Sequence, residues 1–146
     1  MHGFFRTKHL LRWYAKGQAQ LKDLPALRVL IIDDIQKRRT VTRDNLRDIG
    51  LMTTNELEDG VDCWDTIQKS RPQVIFMDLE IPKVDVAELV ERILKIDSTI
   101  KVILLLPEQA VIDREHWMLP KGVFATVRKP LAKNDLMDLI SKITQN

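Results

Sequence analysis

Between residues 28 and 128, five short runs are separated by longer segments of helical period: RVLIID (28–33), LMTTNE (51–56), QVIFMD (73–78), KVILLL (101–106) and VFATVR (123–128). Three of them are apolar throughout rather than alternating in polarity, as strands covered on both faces require. The helical segments are expected at 35–49, 61–70, 86–96 and 133–143, with a weaker one at 108–118. In the first of these, Ile35, Val41, Leu46 and Ile49 are the expected inward positions. Gly50 and the Arg71–Pro72 pair would stop the first two, and Pro107 stands where the fourth would begin. Five such units predict an α/β fold: a five-stranded parallel sheet with right-handed crossovers and helices on both faces.

A chain of 146 residues, 45% of them hydrophobic, is long enough to bury a core without disulfides. Its one cysteine, Cys63, fits a small buried position on a helix and points to a reducing compartment. No apolar run approaches the roughly 18 residues that a membrane span needs, so a cytoplasmic location is expected. Residues 1–22 hold five of the 23 Lys and Arg and none of the 21 Asp and Glu, so the basic balance belongs to the N-terminus. The rest is mildly acidic, and direct nucleic acid binding is not expected.

The division expected is a basic amphipathic N-terminal extension over 1–27, joined through KDLPAL (22–27), and a domain over 28–146. On a helix, Leu10, Leu11, Tyr14 and Leu21 would share one face of the extension and His9, Arg12 and Lys16 the other, although Gly17 weakens continuity. It could dock on the domain or on its own copy in a dimer, bind another protein, or lie on an anionic membrane surface. His2, His9 and His116 have no companions at metal-ligand spacing. No effector segment follows the last helical pattern, so action through a partner protein is expected.

Charged residues mark the carboxyl ends of three runs: Asp33 and Asp34 after the first, Asp78 after the third, Lys129 after the fifth. Ligands of open parallel sheets bind outside those ends. If the first and third strands are neighbours, the three carboxylates converge and repel one another unless a cation joins them. Oxygen-only donors of this kind suit Mg²⁺. A carboxylate beside such a cation can accept a phosphoryl group, with the Lys129 ammonium neutralising the transferred oxygens. The structural alternative makes Asp34 a helix N-cap, Asp78 a strand terminator and Lys129–Pro130 an ordinary turn.

With IIDD, FMDLEIP and VRKPL in this order, and Gly60 at the opening of the second helix, the sequence from Arg28 to about Ile143 resembles the receiver domain of two-component response regulators, a flavodoxin-like (βα)5 fold. The resemblance implies Asp78 as phosphoacceptor and Lys129 as its phosphate-contacting lysine. It implies Mg²⁺ held by Asp34 and Asp78, by Asp33 through water and by the backbone carbonyl of Glu80, and a cis Lys129–Pro130 bond. Implied partners are a histidine kinase or phosphotransfer protein and a downstream target. A homodimer could form through the extension, or through the face built from 108–118, the fifth run and the last helix.

Three departures bear on readout. Leu106–Pro107 replaces the Thr or Ser and Ala expected after the fourth strand, Thr126 replaces the switch aromatic, and Val86 replaces a glycine in the loop after Asp78. Glu80 and Glu108 add acidic groups that could repel a phosphoryl donor; alternatively, Glu80 could pair with Lys129 and imitate the modified state. The expected function is a stand-alone atypical receiver phosphorylated on Asp78, the alternative a phosphorylation-independent pseudo-receiver. A phosphatase with an Asp-x-Asp nucleophile is disfavoured, because Leu79 and Glu80 follow Asp78.

Overall fold

A computed structural model describes residues 26–60, 63–81, 83–107 and 120–144. The elements run β1 (Arg28–Ile32), α1 (Gln36–Asp48), β2 (Thr53–Leu57), α2 (Cys63–Ser70), β3 (Val74–Asp78), α3 (Val86–Ile96), β4 (Lys101–Leu106), β5 (Ala125–Arg128) and α4 (Lys133–Thr144). All strand pairs are parallel, in the order β2-β1-β3-β4-β5. The chain therefore winds one way from β1 to β2 and the other way from β1 to β3, and the reversal falls between β1 and β3.

The expected sheet and its two covered faces are present. On one face Ile31, Phe76 and Leu105 pack with Leu46 of α1 and with Leu136 and Ile140 of α4. On the other, Leu30, Met77 and Leu104 pack with Ile67 of α2 and with Val90 and Ile93 of α3. Every residue of β3 is buried, which accounts for its unbroken apolarity. Cys63 lies fully buried on α2, as its size and apolar character suggest.

Two strands and one helix differ from expectation in detail. β2 begins at Thr53, because Leu51 closes the end of α1: its N–H donates to the Leu46 carbonyl at 3.0 Å, and Gly50 takes the left-handed φ of 107° that this cap needs. β5 begins at Ala125, after a turn in which the Val123 N–H donates to the Pro120 carbonyl. On α1, Leu46 and Ile49 point inward as expected, but Ile35 and Val41 are 44% and 49% exposed. The helix starts one residue after Ile35, and the buried stripe runs Thr42, Leu46, Ile49, about 100° around the helix from Val41.

Gly60 is buried where α3 crosses it: a Cβ there would stand 2.8 Å from Leu89 Cδ2. α3 itself is started by Asp85, whose Oδ1 accepts the Glu88 N–H at 3.1 Å. No helix among the described residues is long and apolar enough to cross a membrane. The amphipathic reading of the extension, the helix expected at 108–118, Glu108 and the three histidines lie outside the described residues.

Candidate functional site

Adjacent parallel strands with matched register end side by side, and Ile32 of β1 pairs with Met77 of β3. The next residues, Asp33 and Asp78, are thereby delivered to the same edge at the point where strand order reverses. Asp33, Asp34 and Asp78 each offer a carboxylate oxygen within 4.8 Å of the others. Asp33 and Asp78 are buried and Asp34 is exposed.

Lys129 follows β5 and reaches across β4 to the pair. Its ammonium donates to Asp78 Oδ2 at 2.6 Å and to Asp33 Oδ2 at 3.2 Å. The Lys129–Pro130 bond is cis. The remaining oxygens of the two buried aspartates are held by the backbone: Asp33 Oδ1 accepts the Ile35 N–H at 3.1 Å, and Asp78 Oδ1 accepts the Glu80 N–H at 2.9 Å. Asp34 is not the α1 cap; the cap is Ile35, which lacks a side-chain acceptor. Nor does Glu80 pair with Lys129. Its side chain is exposed, while the ammonium is committed to Asp78 and Asp33.

Burial pushes the Asp33 carboxyl above its ordinary value of 3.8. The Ile35 N–H opposes this, the charge of Asp78 adds to it, and Lys129 lowers it without prevailing. The protein interior thus disfavours the Asp33 charge even with the Lys129 ammonium beside it.

The donor set also fits Mg²⁺. The carboxylate oxygens already lie within 4.8 Å of one another, and such an oxygen-only set suits a small hard cation that needs only one or two carboxylates directly. Exposed Asp34 leaves room for the waters that Mg²⁺ retains.

One participant was missed from the sequence. Arg38, on the first turn of α1, extends its guanidinium over all three carboxylates: Nε lies 3.5 Å from Asp33 Oδ1, and Nη2 lies 3.4 Å from Asp34 Oδ1 and 3.8 Å from Asp78 Oδ2. Its spacing of four from Asp34 is the available signal. A basic residue at a helix start otherwise reads as a solvated charge.

Residues 29–141 match the model of the response regulator receiver domain. The chain belongs to that family. It is 22% identical over 120 residues to chemotaxis protein CheY of Thermotoga maritima, covering 81% of this chain and 98% of that one. It is 35% identical over 80 residues to a protein-glutamate methylesterase/protein-glutamine glutaminase of Methanospirillum hungatei, but that match spans 54% of this chain and only 23% of the relative. Among solved structures, a CheY-like receiver domain protein of Methanospirillum hungatei superposes with a TM-score of 0.67 at 22% identity, over 80% of this chain and 92% of the other. Receivers are signalling domains of two-component systems. They usually bind Mg²⁺ through an acidic pocket, and they engage kinases, phosphotransfer proteins and effectors.

Proposed function

We propose that this receiver accepts a phosphoryl group on Asp78 from a histidine kinase or phosphotransfer protein and signals through contact with a target protein. The observation that carries the reading is the Asp78 carboxylate, buried at the strand-order reversal, bound by Lys129 at 2.6 Å and flanked by Asp33 and Asp34. Asp78, Asp34 and the Glu80 carbonyl would hold Mg²⁺ directly and Asp33 through water. The ion would supply positive charge to the phosphoryl oxygens. A carboxylate oxygen of Asp78 forms the new bond to phosphorus as the donor's P–O or P–N bond breaks, and the donor departs with that electron pair. Lys129, already on Asp78, moves its ammonium onto a transferred oxygen.

The match to nearly the whole of a CheY favours signalling by the receiver itself through protein contact. A cytoplasmic location, and residues 1–27 as a separate extension, belong to the same proposal. We infer an atypical readout because Leu106, buried at the end of β4, has no hydroxyl to draw the phosphoryl group and its loop together, and Thr126 on β5 is not aromatic. Those two residues also favour the second reading, a pseudo-receiver whose binding surface is permanent.

Incubation with Mg²⁺ and acetyl phosphate separates them. Intact mass is expected to show one added phosphoryl group on the wild type and none on Asp78→Ala. An unmodified wild type, under conditions that load an ordinary receiver, leaves the pseudo-receiver. Modification of the Ala variant removes Asp78 as the acceptor.

A further inference from the structure

We propose that Arg38 is a tethered counter-cation that occupies the acidic pocket in the metal-free protein and must be displaced by the divalent ion, so that it sets a weakened Mg²⁺ affinity. The inference rests on the reading of the pocket as a Mg²⁺ site and concerns how that site is controlled.

Three observations converge on it. The first is reach: this one guanidinium lies within 3.8 Å of an oxygen on each of Asp33, Asp34 and Asp78, the same three groups that would meet at the ion. With Lys129 present, the three carboxylates carry two uncompensated negative charges. Mg²⁺ neutralises both, Arg38 only one, and the two together leave the pocket positive. Arg38 and the ion therefore oppose one another.

The second is the quality of the contacts. A settled arginine–carboxylate pair is bidentate at about 2.7–2.9 Å. Arg38 instead stands off at 3.4 to 3.8 Å, its side chain is 42% exposed, and its buried Nε has no hydrogen-bond partner. Lys129, by contrast, is locked at 2.6 Å and 13% exposed. Of the two cations, Arg38 is the loosely held one with an open route to solvent.

The third is its position on α1. The helix opens Gln36-Lys37-Arg38-Arg39 with no acidic residue in its first turn, where the macrodipole disfavours cations. Arg39 has structural employment, donating to the Asp33 carbonyl at 2.6 Å and lying 3.8 Å from Glu56. Arg38 has only the pocket, whose carboxylates offset its unfavourable place at the helix start.

The test is calorimetric titration with MgCl₂ at fixed pH and ionic strength of the wild type, Arg38→Met and, as a charge control, Lys37→Gln. Lys37 is exposed on the same turn. Arg38→Met is expected to bind Mg²⁺ about three- to fivefold more tightly than the wild type, the upper part of the span expected from a partly exposed ion pair that no longer has to break. Lys37→Gln should stay within about twofold. In EDTA, Arg38→Met should melt below the wild type, with the gap closing as Mg²⁺ is added, a readout independent of phosphorylation. Equal or weaker Mg²⁺ binding by Arg38→Met overturns the proposal and leaves the metal site standing. No binding by any of the three proteins overturns both.

Discussion

Asp33 is a single buried carboxylate that would link folding to the proposed metal binding. Its pKa is raised by burial and by Asp78 despite Lys129, so the folded chain holds the Asp33 proton more tightly than the unfolded chain does. Without metal, that contribution to stability is fully present below the ordinary value of 3.8 and is lost as pH rises through the higher folded value. At neutral pH the ionised group is a net cost. Asp33→Asn keeps an acceptor for the Ile35 N–H and removes the charge, so in EDTA it should melt above the wild type at pH 7, with the difference vanishing toward acid. Added Mg²⁺ should reverse the order at neutral pH. Thermal melts across pH with and without Mg²⁺ check this; an Asn variant less stable than the wild type in EDTA at pH 7 contradicts it. The sequence announced Asp33, Asp34, Asp78 and Lys129, because residues that end neighbouring parallel strands must converge. It did not announce Arg38, whose role depends on a rotamer aimed back along the helix rather than on any spacing between strands.

Among the elements, α1 and α3 are started differently. Asp85 caps α3 with a carboxylate on the Glu88 N–H, whereas Ile35 sits at the α1 cap in extended geometry (φ −103°, ψ 114°) with nothing to offer the first-turn N–H groups. Asp85→Ala should therefore cost about 1 kcal/mol, and Ile35→Ser should gain about 0.5–1 kcal/mol. Denaturant unfolding measures both as shifts in midpoint at constant slope; a neutral Asp85→Ala would show that the cap hydrogen bond is not held in solution. The same comparison explains why α3 was legible to the residue while α1 was not. Asp85 and Glu88 write a start signal into the sequence. At α1 apolar Ile35 reads as part of the buried stripe, although the stripe is Thr42, Leu46 and Ile49, and a threonine is easily passed over as core. The edge strands were likewise blurred. β2, TTNEL, is covered incompletely and carries polar residues that interior strands such as VIFMD exclude.

At the scale of the whole molecule, the pocket lies at one end of a sheet whose two cores are continuous with every described helix, so any event at Asp78 is felt first by strand ends and by α1. On the proposed atypical readout, the described residues offer no usual lever toward β5. Leu106 is buried and apolar where a hydroxyl would grip the transferred group, and Thr126, paired in register with Leu104, is too small to swing between two packed positions. Population shift requires that the phosphorylated site interact differently with two arrangements of the remote face. Neither of these side chains supplies that difference. Phosphorylation with Mg²⁺ and acetyl phosphate is therefore expected to move backbone amide resonances of residues 33–39, 78–81 and 129, and to leave those of β5 and α4 within a line width. Two-dimensional ¹H–¹⁵N spectra of the phosphorylated and unmodified protein decide it. Large shifts across Ala125–Arg128 would mean that a different pair of groups carries the signal. The first place to look would then be α1, where release of Arg38 from the pocket changes the charge presented to a partner.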